Sequence, residues 1–253
     1  MGFATALAWL VGGATMLGAV FGFVFRTTNE KQNGEVMGFA GGVMTAAAVL
    51  ELIAPAVTER SAPGFFAALA ALFAGAVFVW GMEKSAPLCR RLFGGALLKG
   101  VPASSRGQVR KALLFVLAIA VHNFPEGLAA GFASGLGDRS KAFAVALGIA
   151  IQNLPEGAVL IGPLRSAGIP ERRTLAVAVS TGLVEVAGTL IGWGFAAVPA
   201  GWLPFLLAFA GGTMLWITAV EVLPEARAAA GERAAGVTFL LGFCVMLITD
   251  RFL

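Results

Sequence analysis

Charge is scarce in this sequence. Only 13% of its 253 residues are Asp, Glu, Lys or Arg, against about a quarter in a soluble domain. Residues 2–25 and 61–82 contain none at all. That excludes a water-soluble globular chain, because each stretch meets the roughly 20 apolar residues a helix needs to cross a bilayer. Histidine occurs once and cysteine twice. A single histidine excludes the HExxH pattern of a zinc-dependent intramembrane protease, so nothing points to an enzyme. Cys89 sits in a basic stretch and Cys244 in the last apolar run, so a disulfide between them is not expected, and there is no CxxC. No Walker A loop is present, which argues against ATP coupling within this chain. The start, Met1-Gly2-Phe3, lacks the basic region of a signal peptide, and the first apolar run is expected to be retained as a span.

Apolar residues make up 58% of the chain, and the mean hydropathy is +0.86. They fall into eight runs, at about 3–25, 36–57, 62–82, 112–136, 142–164, 174–197, 201–222 and 234–250. The fold class read from them is an all-α polytopic membrane protein, one transmembrane domain over residues 1–253 with a long loop at 83–111. The pI near 9.6 raises the question of nucleic acid. However, the basic residues sit between apolar runs, where membrane topology accounts for them. Taking 83–111 as cytoplasmic puts 14 of the 18 Lys and Arg on that side, leaving Arg60, Arg139, Lys141 and Arg251 outside. Under the positive-inside rule both termini are then extracytoplasmic, in a cell (inner) membrane.

The chain also repeats itself. "FAGGVMTAAAVLELIAPA" at 39–56 aligns without gaps to "FAGGTMLWITAVEVLPEA" at 209–226, an offset of 170, and Gly18, Gly22 and Phe25 fall on Gly188, Gly192 and Phe195 at the same offset. "VHNFPEGLAA" (121–130) and "IQNLPEGAVL" (151–160) repeat at offset 30. Spans 1–3 therefore echo spans 6–8, less clearly for span 3 against span 8, and span 4 echoes span 5. Five spans of separation reverse orientation. The expected architecture is an eight-helix 3+2+3 inverted-repeat bundle, an arrangement typical of secondary transporters with a midplane substrate site.

Polar residues concentrate in that central pair. His122 and Glu126 share one face of span 4, and Gln152 and Glu156 share one face of span 5, by their i, i+4 spacing. Asn123 and Asn153 add amide oxygens beside those faces, and Glu185 lies within span 6. Pro125 and Pro155 withdraw a backbone donor at the same depth. A lone membrane histidine is often a helix contact, and a lone proline usually just a kink. Two matched copies of one polar pattern are harder to assign to packing. Each mid-span carboxylate costs about 2.5–3.5 kcal/mol if ionised and unpartnered. No Lys or Arg lies at comparable depth in these spans. Either the acids are protonated or a cation comes and goes. Imidazole nitrogen with carboxylate and amide oxygen, and no thiolate, suits hard or borderline divalent ions. Glu51 and Glu221 occupy equivalent repeat positions as acidic stations on a path, although two acids near span ends would also fit. Met44 and Met214 read first as packing residues, with Met44 kept as a candidate lining that path.

On "HNFPEG", "QNLPEG", "FAGGVM" and "GTMLWITAVEVLPE" the sequence resembles the ZIP family of divalent metal transporters, especially its prokaryotic GufA-like branch. The resemblance covers essentially the whole chain. It implies one metal held by His122, Glu126, Gln152 and Glu156, and a second by Asn123, Asn153 and Glu185 with Glu126 and Glu156 bridging. No cofactor is expected. The transported substrate would be Zn²⁺, with Cd²⁺, Fe²⁺ and Mn²⁺ as further candidates. The partners expected are divalent metal ions and the lipid bilayer, with a homodimer as the protein assembly admitted and no nucleic acid. A passive channel using the same site is the closest rival. Two departures stand out. Gln152 replaces the family's frequent histidine, and 83–111 has no histidine-rich segment.

Overall fold

In the computed structural model residues 2–24, 29–58, 61–84, 106–135, 137–195 and 200–252 are described. They form eight helices long and apolar enough to cross a membrane, and no strand. These are α1 (Gly2–Val24), α2 (Glu30–Val57), α3 (Ala62–Gly81), α4 (Gly107–Gly135), α5 (Arg139–Ser166), α6 (Glu171–Gly194), α7 (Leu203–Ala230) and α8 (Glu232–Phe252). Several begin earlier or end later than the apolar runs that announce them. α2 starts at Glu30 and α7 continues to Ala230, because polar residues at helix ends can keep their heads in water while the helix continues. The last residues of the basic 83–111 stretch belong to the first turns of α4, and 85–105 lie outside the described residues.

Local chemistry sets the helix ends. Asn29 caps α2 by accepting from the Lys31 amide at 3.0 Å. Asp138 caps α5 by accepting from the Lys141 and Ser140 amides, both at 3.1 Å. Those amides, Lys141 foremost, hold its carboxyl below the usual aspartate range. Gly231 alone separates α7 from α8, at φ 84°, a conformation L side chains rarely adopt. Both α2 and α7 widen into a π-helical turn, at Ala48–Ile53 and Thr218–Val222. Pro55 and Pro224 follow directly and cannot donate to the preceding turn, which accounts for the widening. By contrast α4 and α5 continue through Pro125 and Pro155.

With lipid as solvent there is no hydrophobic gain in pressing one helix on another, so close backbone approach has to supply the attraction. Glycine supplies it here. The most extensive pairs are α4 on α6, α2 on α7, α1 on α5 and α2 on α8, followed by α1 on α6 and α3 on α7. Gly18 and Gly22 of α1 meet the carbonyls of Leu154 and Ala158 on α5, while Gly188 and Gly192 of α6 meet those of Phe124 and Leu128 on α4. The two sets are related by the offsets of 170 and 30 seen in the sequence. α2 and α7 run antiparallel, with Gly34 against Ala230, Gly41 against Val222 and Gly211 against Ile53. The inverted repeat is therefore present in the packing. α3 and α8 are outermost, with 17% of their most apolar window buried against 61% for α2, α4 and α5.

Candidate metal centre

α4, α5, α6 and α1 enclose a polar cluster in the middle of the bundle. His122, Asn123, Glu126, Gln152, Asn153, Glu156 and Glu185 are all fully buried. His122 Nε2 lies 2.9 Å from Glu156 Oε2, and Gln152 Nε2 donates to Glu126 Oε1 at 2.8 Å. These two contacts are one contact repeated, since 122 maps to 152 and 156 to 126 under the offset of 30. His122, Glu126 and Glu156 each offer a ligand atom, and the three atoms lie within 4.8 Å of one another. Beside them, Asn153 Nδ2 donates to Glu185 Oε1 and to the Val11 carbonyl, the latter at 3.3 Å.

The oxygens that are left over are the main feature. Asn123 Oδ1, Glu126 Oε2, Gln152 Oε1, Asn153 Oδ1 and Glu156 Oε1 are buried acceptors without a hydrogen-bond partner. Leaving even one such group unmade costs about 1–3 kcal/mol. Among the described residues no lysine or arginine is buried to offset them. Five such acceptors on α4 and α5, together with the His122 imidazole, match the donor set of a divalent cation with nitrogen and oxygen preference.

The seven candidate ligands sit on three adjoining helices, α4, α5 and α6. Met44 is fully buried in the main apolar cluster with Met214 and Ile119. Glu51 and Glu221 fall in the two π-helical turns, and the Glu51 carboxylate fills the space beside Gly148. Gly148, Gln152 and Glu156 share one face of α5, so Glu51 stands one turn from the cluster, toward the Asp138 end. Toward the Arg165 end a cavity of about 560 Å³ opens beyond Ala158 and Val159, with Glu30, Asn33, Gln108 and Arg165 in its wall. Sequence reading missed the contribution of α1. Thr15 is fully buried and donates to Glu185 Oε2 at 2.7 Å.

Fold and site together define a polytopic membrane protein with a buried histidine–carboxylate–amide centre at the join of an inverted repeat. The chain belongs to the ZIP zinc transporter family, whose model matches residues 98–251; it is a family of transporters, not enzymes. It is 34% identical to the zinc transporter GufA of Myxococcus xanthus, over 99% of this chain and 98% of that protein. It is 33% identical to the zinc transporter ZIPB of Bordetella bronchiseptica, over 94% and 77%. It is 29% identical to the human zinc transporter ZIP11, over 94% and 93%.

Proposed function

We propose that the chain carries divalent metal cations, Zn²⁺ foremost, across the cell (inner) membrane toward the cytoplasm. One ion is held by His122, Glu126, Gln152 and Glu156. A second is held by Asn123, Asn153 and Glu185, with Glu126 and Glu156 bridging the two. The observation that carries this reading is the set of buried oxygens without hydrogen-bond partners on α4 and α5, with no buried lysine or arginine among the described residues. The names of the relatives favour zinc as substrate. The excess of basic residues assigns the Arg165 end of the bundle to the cytoplasm and both termini to the opposite side. The cavity at that end then serves as the exit vestibule. Uptake of zinc into proteoliposomes, run against competing Cd²⁺, Fe²⁺ and Mn²⁺, tests the proposal. Saturation at low metal concentration is expected of a carrier, whereas flux that stays linear would favour a passive channel.

Selectivity should respond at Gln152. An amide oxygen there discriminates less sharply against Cd²⁺, Fe²⁺ and Mn²⁺ than an imidazole nitrogen would. Gln152→His should therefore shift competition toward Zn²⁺, and an unchanged profile would remove residue 152 from the ligand set.

Glu51 and Glu221 act as acidic stations at the two mouths, gathering cations on either side of the central site. With the assigned topology, Glu51→Cys protein should react with an impermeant thiol reagent from outside, and Glu221→Cys protein from the cytoplasmic side alone. Zinc should protect both. Labelling of both from one side would refute the assignment of the two mouths.

A further inference from the structure

The offset of 170 that relates α1 to α6 places Thr15 on Glu185, and these two residues hydrogen-bond to each other. A contact between repeat mates lies across the pseudo-two-fold itself. Around it the symmetry holds closely. The carbonyl of Thr15 meets Gly157, the carbonyl of Glu185 meets Gly127, and the His122–Glu156 and Gln152–Glu126 contacts are images of each other. It fails at one place. Asn153 is tied to Glu185, whereas its mate Asn123 has an unpartnered side-chain oxygen and nitrogen. Symmetry would hand Asn123 to Thr15. Thr15 instead donates its hydroxyl to Glu185 and accepts nothing from the Asn123 amide.

We propose that Thr15 is a positioning residue for the second metal ion, its hydroxyl fixing the Glu185 carboxylate from α1, and that by standing where its repeat mate is a glutamate it makes the two halves of the centre unequal. Glu185 receives donors on both oxygens, Thr15 on Oε2 and Asn153 on Oε1, so the orientation of the carboxylate is set before an ion arrives. Close packing of α1 fixes the hydroxyl in turn. Gly12 and Gly182 lie against each other's helices, and Gly157 leaves room for the Thr15 backbone. The Asn123 side chain lies near enough to Glu156 to interact with it, and its oxygen, which accepts no hydrogen bond, can turn to an ion. This rests on the two-ion reading above. Partners that orient a ligand from behind typically account for about 10–100-fold in metal affinity.

The test is zinc stoichiometry and affinity of purified protein in nanodiscs, by equilibrium dialysis with metal analysis, for wild type, Thr15→Val, Thr15→Ser, Thr15→Ala and Glu185→Gln. Thr15→Val should bind the tighter ion as wild type does and the second ion about tenfold or more weakly. Thr15→Ser should bind both ions as wild type. The Ser and Ala variants differ by one hydroxyl, so they isolate it even if the valine protein does not fold. Two wild-type affinities in Thr15→Val or Thr15→Ala, with the second ion lost in Glu185→Gln, would overturn the role of Thr15 and leave the two-ion centre standing. A serine variant no better than alanine would also overturn it, since the methyl rather than the hydroxyl would then matter. Two ions bound normally by Glu185→Gln would instead remove the two-ion reading on which the proposal depends.

Discussion

Glu156→Ala protein, inserted at wild-type levels, should take up zinc at least about a hundredfold more slowly than wild type, and His122→Ala should follow it. The estimate is a lower bound: losing a ligand should cost at least what losing a partner that orients a ligand from behind costs, about 10–100-fold. Glu156 faces His122 at 2.9 Å on one oxygen and has no partner on the other. On the proposed site its loss takes away a ligand and strands the imidazole together. Glu156→Gln separates charge from size. It keeps an acceptor oxygen in the same volume, yet it should fail almost as badly if the site works by balancing cation charge. Uptake by correctly inserted protein, normalised to the amount in the membrane, is the measurement. Near-normal transport in both the Glu156 and the His122 variants is the outcome that would end the assignment.

The polar part of this centre was legible because membranes penalise what soluble cores tolerate. An uncompensated mid-span glutamate costs enough to demand a reason. Two copies of one pattern supplied the reason before any helix was placed. The glycines were legible only as candidates for close packing; their partners are carbonyl oxygens, which leave no trace in side-chain identity. Thr15 went unnoticed on the same ground. A threonine in an apolar run is inexpensive, so composition does not mark it, although the offset that pairs Gly18 with Gly188 also pairs Thr15 with Glu185.

The weaker likeness of span 3 to span 8 has a simple geometric explanation. Gly42 of α2 meets the Phe239 carbonyl of α8, and Gly212 of α7 meets the Leu72 carbonyl of α3. Likewise Gly242 meets the Phe39 carbonyl, and Gly75 that of Phe209. Residues 72 and 75 correspond to 239 and 242, an offset of 167 where the other spans have 170. The connection before α3 is three residues longer than the one before α8, so a gap-free comparison slides the two helices by nearly one turn. Their lipid-facing surfaces then carry no side-chain pattern strict enough to reveal the register. The π-helical turns were also beyond sequence reading. Proline announces a disturbance one turn back without saying whether the helix bends or widens.

Gly157→Ala should destabilise the protein by about 3 kcal/mol, at the upper end of overpacking costs. A Cβ at 157 would overlap the Thr15 carbonyl oxygen and crowd the Ala19 amide, both of them backbone, which cannot swing aside as a side chain can. α1 must therefore lift from α5 as a unit. Gly127→Ala should do the same across the pseudo-two-fold, where the obstruction is the Glu185 carbonyl with the Thr189 amide behind it. Gly13→Ala in α1 meets nothing within 4 Å, so it should be neutral or mildly stabilising, since alanine is the better helix former by up to about 1 kcal/mol. Thermal unfolding in detergent ranks the three. The two damaging substitutions should also weaken zinc binding beyond what their melting shift explains. Each pushes on one side of the Thr15–Glu185 hydrogen bond, separating a carboxylate from the donor that orients it. If Gly157→Ala melts like Gly13→Ala, α1 does not lie on α5 at the distance seen here, and if Gly127→Ala does so, α4 does not lie on α6 at that distance; the walls these helices contribute to the metal centre go with them.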